Sequence, residues 1–519
     1  MQSFIEDLTM FRARRNPRGE AVLDWDTGIR YTWGDLRERA ERLAGFLVHR
    51  IGLAKGDRVG FLCPVDIAMI DMCSASFTTG IVVTTYNYRL KEAELVDMID
   101  NESPKVMFFT KANEEKAARL RMRASTPFVP ICIDGYAAEA SWSMADIMAA
   151  SDIPGASQAD VRPEDPAMLI HTGGTTGRPK AAVLSFQSLF LNSVSELVTM
   201  RLTESDRAYV CMPFYHTGGW NVFTLPLLLA GGSVILSREF SPDTFFDVVE
   251  RERPTMFLAA DMMYKAIVNH PRFSEADLSC FKWVAGGASA ISETSMQPFW
   301  DKGVRFFIGY GMTETGPNNF FPDVGMTLAQ NKAKSQTVGK PMAFTQARIV
   351  DADGRDVPAG VRGEVLMRGG LSFSGYWRNE EETRAIVREG WIHTGDMGYR
   401  DDDGDFYVCG RLKNMFISGG ENVFPSEIEQ CLEAFPPVRE ACVIGVPDER
   451  WGEVGKALLV LEPGAEFERD ELCAFLAANL STIKRPRHYE IVGEIPKNEA
   501  GKRDEQLIRA KYGCDRVAC

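Results

Sequence analysis

The chain has 519 residues, too long for a single core, so two or more domains are expected. Hydrophobic residues make up 45% and charged residues 25%, a soluble globular profile, and the net charge of −14 argues against general nucleic-acid or anionic-membrane binding. The 11 cysteines are scattered without a C-x-x-C pair, which argues against a disulfide framework or zinc cluster and for reduced thiols in a cytoplasmic setting.

The N-terminal residues 1–17 lack the long apolar core of a signal peptide. Residues 35–49 carry Leu36, Ala40, Leu43 and Leu47 at helical spacing. Short runs rich in Val, Ile and Phe then recur between amphipathic segments. They lie at 58–62, 106–109, 129–133, 167–170, 233–236, 256–259, 281–285 and 304–308. This alternation predicts an α/β fold with largely parallel sheets. No Asp, Glu, Lys or Arg occurs between Arg207 and Arg238, but Pro213, Gly218, Gly219, Pro226 and Gly231 interrupt that stretch. It reads as buried strand, loop, helix and strand, without a transmembrane segment.

The texture changes after residue 340. Residues 346–350 and 363–367 read as strands, and 391–411 as a β-hairpin turning at Asp402-Asp403-Gly404. Pro425 opens a helix with Ile428, Cys431, Leu432 and Phe435 on one face. Strands at 441–446 and 457–461 and a helix at 470–480 complete a C-terminal unit of about a hundred residues. The boundary is placed at 410–414.

HTGGTTGRPK, residues 171–180, follows an apolar strand. Its glycines let backbone amides crowd an anion, its threonines add donors, and Arg178 and Lys180 add charge. Ala181 stands where a P-loop needs Ser or Thr. On these residues alone, a phosphate cradle and a glycine-rich surface turn are equally good readings.

The segment HTGGTTGRPKAAVLS resembles the signature loop of the acyl-adenylate-forming enzymes, which include acyl-CoA synthetases. GYGMTETG at 309–316, TGD at 394–396, GRLKNMFISGGENVFPSEIE at 410–429 and IPKNEAGKRDEQLIR at 495–509 resemble further family segments, in family order. The resemblance implies a large N-terminal domain, 1–411, with doubly wound sheets and a small β-barrel part. A small mobile α+β domain, 412–519, would follow, hinged near Lys413. It also implies an enzyme that joins a carboxylic acid to ATP, giving acyl-AMP and pyrophosphate, and then transfers the acyl group to CoA.

Roles come with the resemblance. Thr172, Gly173, Gly174, Thr175, Thr176 and Lys180 would hold the β- and γ-phosphates. Thr313 would reach the α-phosphate, and Glu314 would bind Mg²⁺, a hard cation that prefers oxygen. Tyr310 would stack on adenine, Gly311 and Gly287 would contact the cofactor, and Asp396 and Arg411 would take the ribose; Gly286-Gly287-Ala288 and Asn318-Asn319-Phe320 would also wall the acid pocket. Lys502 would bridge the carboxylate and the α-phosphate; without the resemblance it reads as a solvated lysine. His216 would stand beside the acyl carboxylate, a role weighed evenly against a core histidine. His171 could pack, and His393 reads as structural. Gly419, Gly420 and Trp451 would flank the pantetheine, with Lys484, Arg485 and Arg487 at the CoA nucleotide phosphate.

Stand-alone amino-acid activators of the family usually place an Asp where this chain has Thr217-Gly218-Gly219-Trp220, so an amino acid is disfavoured. The expected substrate is a medium- or long-chain fatty acid, with an aryl acid as the alternative. Gly218 and Gly219 would leave room, and Trp220 would wall the pocket. Transfer to a carrier protein and a luciferase-like oxygenase remain competing readings. A Rossmann dehydrogenase fails because Glu314 stands where the third glycine belongs, and an α/β-hydrolase because G-x-S-x-G is missing. Partners are thus a small carboxylic acid, ATP and CoA, with a homo-oligomer left open.

Overall fold

The computed structural model describes residues 7, 9–172, 179–287, 289–465, 468–497 and 503–513. Two seven-stranded sheets organise the first 321 residues. The first runs, in spatial order, Trp142–Ser143, Val129–Cys132, Val106–Phe109, Arg58–Leu62, Val82–Thr85, Pro166–Thr172 and Lys180–Ser185. All its pairs are parallel except the last. The second runs Phe306–Ile308, Trp283–Gly286, Met256–Ala259, Arg207–Val210, Ser233–Leu236, Glu20–Asp24 and Ile29–Thr32. Again only the final pair is antiparallel.

Strands buried on both faces read as continuous apolar runs, which is why most were visible in the sequence. The strands Arg58–Leu62, Val106–Phe109, Ser233–Leu236 and Met256–Ala259 form with the expected bounds. Glu20–Asp24, Ile29–Thr32, Val82–Thr85 and Lys180–Ser185 were not anticipated. The first of these joins a sheet whose neighbouring strand lies some two hundred residues away, a pairing that no local pattern encodes.

The helix expected at 35–49 is Trp33–Gly45, opened by a Thr32–Asp35 capping box, and it runs on as the π-helical turn Phe46–Ile51. Its Leu36, Ala40, Leu43 and Leu47 are buried. Leu36, Leu43 and Leu47 join one apolar core with Val59 and Phe61 of the first sheet and with Val22, Ala208 and Val234 of the second. The uncharged stretch folds as strand Arg207–Val210, a loop, the π-helical turn Gly219–Thr224, helix Leu225–Ala230 and strand Ser233–Leu236. Among the described residues, no helix is long and apolar enough to cross a membrane.

The part expected as a small β-barrel is a five-stranded antiparallel sheet. Thr345–Val350, Gly363–Gly369, Trp391–Arg400 and Val387–Arg388 lie in that order, and Phe406–Arg411 pairs with Trp391–Arg400. The expected hairpin is present, with Tyr399 opposite Tyr407.

A further five-stranded sheet begins at Phe416, just past the short 3₁₀ turn Leu412–Asn414. Helices Pro425–Glu433 and Arg469–Asn479 cover one face, where Ile428, Leu432, Leu472 and Leu476 pack on Ala441, Val443, Ala457 and Leu459. Helix Glu505–Tyr512 covers the other through Ile508 and Tyr512. Polar contacts tie this part to the preceding chain. Lys265 pairs with Glu433 at 2.7 Å, and the Ser426 hydroxyl donates to the Cys409 carbonyl. Truncation of fully buried Ile428 to Ala should cost about 2–5 kcal/mol, read as a lower urea midpoint for the C-terminal sheet.

Candidate active site

The site is built where the hairpin Tyr310–Met312 and Gly316–Phe321 meets the antiparallel sheet. Between the hairpin strands, Thr313–Thr315 forms a single 3₁₀ turn. It leaves Thr313 half-buried and Glu314 buried. A Cβ at Gly311 would lie 2.4 Å from the Pro317 carbonyl, so the hairpin closes tightly only with glycine there.

Two carboxylates dominate the electrostatics. Asp396 sits on a bulge: Glu364 pairs with Met397 and Leu366 with His393, so the intervening Thr394-Gly395-Asp396 bows out. Gly395 has φ +66°, which favours glycine, and its N–H donates to Glu364 at 3.1 Å. The bulge aims Asp396 at the hairpin. The Tyr310 hydroxyl donates to Asp396 Oδ2 at 2.7 Å, and Arg411 Nε lies 2.8 Å from Oδ1. Burial pushes the Asp396 carboxyl above the usual carboxylate range, and Arg411 and Tyr310 partly oppose this.

The second carboxylate is Glu314. The Tyr376 hydroxyl donates to its Oε1 at 2.7 Å, and the Phe373 N–H donates to its backbone carbonyl at 2.9 Å. Lys180 leads away from the glycine loop, opposite Thr172 in the antiparallel pair. Its Nζ lies 2.5 Å from Glu382 and 5.4 Å from the Tyr376 ring centroid. Thr172, Lys180, Tyr376 and Glu314 therefore form one polar end of the cleft, and Tyr310, Asp396 and Arg411 the other. Gly287 borders the same hairpin, since a Cβ there would approach the Gly309 carbonyl to 3.2 Å. Gly173, Gly174, Thr175, Thr176 and Lys502 lie outside the described residues.

Sequence reasoning missed Tyr376 and Glu382. Tyr376 lies in a loop and Glu382 in the first turn of helix Glu380–Ile386, and only the tertiary approach of that segment reveals them. It also read His171 as a packing residue. Instead, His171 Nε2 lies 2.5 Å from buried Glu102, and Nδ1 lies 3.1 Å from the Thr85 carbonyl. Both ring nitrogens face acceptors, which the imidazolium satisfies by donating twice. Burial lowers the His171 pKa, but the charge and hydrogen bond of Glu102 outweigh it and the net shift is upward. His393 bonds Glu364 at 2.9 Å, as a structural histidine would.

The half-buried His216 precedes the Gly218–Gly219 step and packs edge-on against Tyr215. A Cβ on Gly218 would meet nothing within 4 Å, whereas one on Gly219 would strike the Met212 carbonyl at 2.6 Å. Gly218 leaves space and Gly219 permits packing. Trp220 is not a pocket wall. It is fully buried, its indole N–H donates to the Phe214 carbonyl at 2.7 Å, and its ring packs on Phe214. The cavity lined by Tyr209, Val210, Met212, Gly218, Gly219, Phe223 and Leu258 offers about 10 Å³, room for one water.

In the C-terminal part, Gly419 and Gly420 form a turn with φ +56° and +87°. A Cβ on Gly419 would come within 2.6 Å of the Trp451 ring, so that indole packs directly on the turn. The three expected phosphate-binding cations do not act as one patch. Lys484 is neutralised by Glu427 at 2.5 Å, and Arg485 Nε donates to the Leu480 carbonyl at 2.9 Å. Arg487 stacks on Trp451. Arg485 and Arg487 nevertheless line one cavity of about 280 Å³, together with Cys473, Thr482 and Tyr489.

Comparison with known proteins places the chain in a family. Residues 11–377 match the family described as AMP-binding enzyme, and residues 427–502 match the AMP-binding enzyme C-terminal domain. A feruloyl-CoA synthase from an Amycolatopsis species is 36% identical over 502 residues, 97% of this chain and 98% of that protein. An indoleacetate–CoA ligase from Aromatoleum aromaticum is 36% identical over 349 residues, 67% and 68% of the two chains. The crystal structure of ATP-bound MatB from Rhodopseudomonas palustris has a TM-score of 0.87 at 28% identity, covering 98% of this chain and 99% of its own.

The Glu102–His171 pair makes a prediction of its own. The His171 pKa is raised above its ordinary 6.5, so the stability it contributes is complete below about pH 6.5 and is lost as pH rises through the folded-state value. Resistance to denaturant should therefore fall as pH rises across that window, more steeply for the wild type than for Glu102→Gln. Parallel curves would refute it.

Proposed function

The chain belongs to the AMP-binding enzyme family and is an acid–CoA ligase within it, and from that premise we propose a compact, aryl-type carboxylic acid as its substrate. The observation that carries this reading is the open step at Gly218, where a Cβ would meet nothing within 4 Å, next to the half-buried His216. A flat ring would lie at that step, against the side chains of Met212, Phe223 and Leu258. The feruloyl-CoA synthase and the indoleacetate–CoA ligase are named for aryl acids, which supports the same choice.

In this reading ATP lies along the cleft from Asp396 to Thr172. Asp396, with Tyr310 and Arg411 already in place, accepts the ribose hydroxyls. This adds donors to a carboxylate that burial otherwise penalises. The Tyr310 ring stacks on adenine beside Gly311. Thr172, Lys180 and the glycines of 173–177 hold the β- and γ-phosphates, and Thr313 holds the α-phosphate. ATP phosphates would draw Lys180 away from Glu382, because a multiply charged anion outcompetes one carboxylate. Glu314 is a buried carboxylate facing the phosphate end, a donor type that suits Mg²⁺, and its Tyr376 hydrogen bond fixes its orientation. The ion would supply charge neutralisation on the phosphates.

The acid carboxylate, steadied beside His216, attacks the α-phosphorus and expels pyrophosphate. Lys502 bridges the two anions where charge accumulates. Residues 412–519 form the lid that carries Lys502 in for this step and then turns about Lys413. Gly419, Gly420 and Trp451 then face the pantetheine, and the Arg485–Arg487 cavity takes the nucleotide phosphate. The CoA thiolate attacks the acyl carbon and AMP leaves.

Pyrophosphate release across cinnamic, indoleacetic and fatty acids tests the substrate. Turnover confined to fatty acids of ten or more carbons would overturn the aryl reading. Lys502→Ala should lower acyl-adenylate formation by about 10²–10³-fold while thioester formation from supplied acyl-AMP persists. Equal loss of both half-reactions would remove that role.

A further inference from the structure

The helix Phe186–Thr199 follows the strand that leaves the phosphate loop. It carries Asn192 and Glu196 one turn apart on the same face, 2% and 0% exposed. That face meets the π-helical turn Gly219–Thr224 and the strand Gly316–Phe321. Asn192 Nδ2 donates to the Asn221 carbonyl at 2.6 Å, and Asn318 Nδ2 donates to Glu196 Oε2 at 3.3 Å. A polar cluster thus sits between the helix after the phosphate loop, the turn after Gly218 and the strand after Glu314.

This cluster is incompletely satisfied. Asn192 Oδ1, Glu196 Oε1 and Asn221 Oδ1 are all buried without a hydrogen-bond partner. Asn192 Nδ2 donates to the Asn221 carbonyl, which fixes the Asn192 oxygen at the unpaired end, and the other end of the Asn221 amide meets the Thr217 hydroxyl at 2.9 Å. Glu196 has no ion pair among the described residues, and burial drives its carboxyl strongly towards the neutral form. Buried polar groups are normally paired, so three orphans at one junction call for a partner. All three are acceptor positions, and a neutral Glu196 carboxyl can also donate.

The cluster lies beside Gly309 and Thr217. Asn318 Oδ1 lies 2.6 Å from where a Cβ on Gly309 would stand, and the Gly309 carbonyl lies 3.2 Å from the equivalent point on Gly287. Thr217, which Asn221 holds, is flanked by His216 and Gly218. Taking the aryl-acid reading as given, we propose that Asn192, Glu196, Asn221 and Asn318 form a polar subsite at the inner end of the acyl pocket. It reads a hydrogen-bond donor on the acid, such as a ring hydroxyl. An acid lacking that group leaves the acceptors unpaired and is discriminated against, which a purely apolar pocket does weakly.

The test compares kcat/KM, by pyrophosphate release, for two matched pairs: 4-hydroxycinnamate against cinnamate, and 8-hydroxyoctanoate against octanoate. Wild type is expected to favour the hydroxylated member by about tenfold or more. Glu196→Leu should collapse that ratio towards one, mainly through a higher KM for the hydroxylated acid. Glu196→Gln, which keeps an acceptor and a donor at the same place, should retain it. Asn318→Val gives a second reading should Glu196→Leu fail to fold. Equal use of both members by wild type, meaning that ordered water alone fills the junction, overturns the subsite. So does a ratio unchanged in Glu196→Leu. Turnover of the octanoate pair alone would sink the aryl reading but still decide the subsite, because that pair carries the same hydroxyl contrast.

Discussion

A carboxylate taken out of water must find partners, and the cleft of this protein is organised by two that do. Asp396 and Glu314 are each about 5% exposed. Their partners come from separate stretches of chain: Tyr310 and Arg411 for Asp396, and Tyr376 for Glu314. Meeting those demands brings the 310–321 hairpin, the 373–382 segment and the antiparallel sheet to one place. Each end pairs carboxylate with cation: Asp396 with Arg411 at one, and Glu382 with Lys180 beside Tyr376 and Glu314 at the other.

The same constraint reaches below the phosphate loop. Glu102 is 1% exposed, and it is held by His171 and by the Thr84 hydroxyl at 3.0 Å. His171 is the penultimate residue of the strand Pro166–Thr172 that leads into the loop, so the buried pair anchors the loop's base to the first sheet. The junction around Glu196 is the contrasting case. There the acceptors outnumber the donors the fold supplies, and a group from outside would complete the set.

The two-part architecture leaves the C-terminal sheet with its own core, joined to the rest chiefly by polar contacts. Lys265–Glu433, Arg362–Glu427 and the Ser426–Cys409 hydrogen bond are of the kind that can break and re-form without exposing a hydrophobic face. Lys484 and Glu427 neutralise each other, which is why the basic turn does not present three free cations.

Much of this protein was legible in its residues alone. Continuous apolar runs marked the doubly covered strands, because parallel strands bury both faces. Asp402-Asp403-Gly404 marked a hairpin turn. What the sequence could not carry was anything set by the meeting of distant segments. Strand Glu20–Asp24 pairs across some two hundred residues, Tyr376 finds Glu314, Glu102 finds His171, and Trp220 turns into the core instead of the pocket. Local chemistry decides which residues can do the work, since propensity and charge travel with each side chain. Which of them share a cavity, and which acceptors are left without a donor, is decided only when packing brings sheets, helices and turns together.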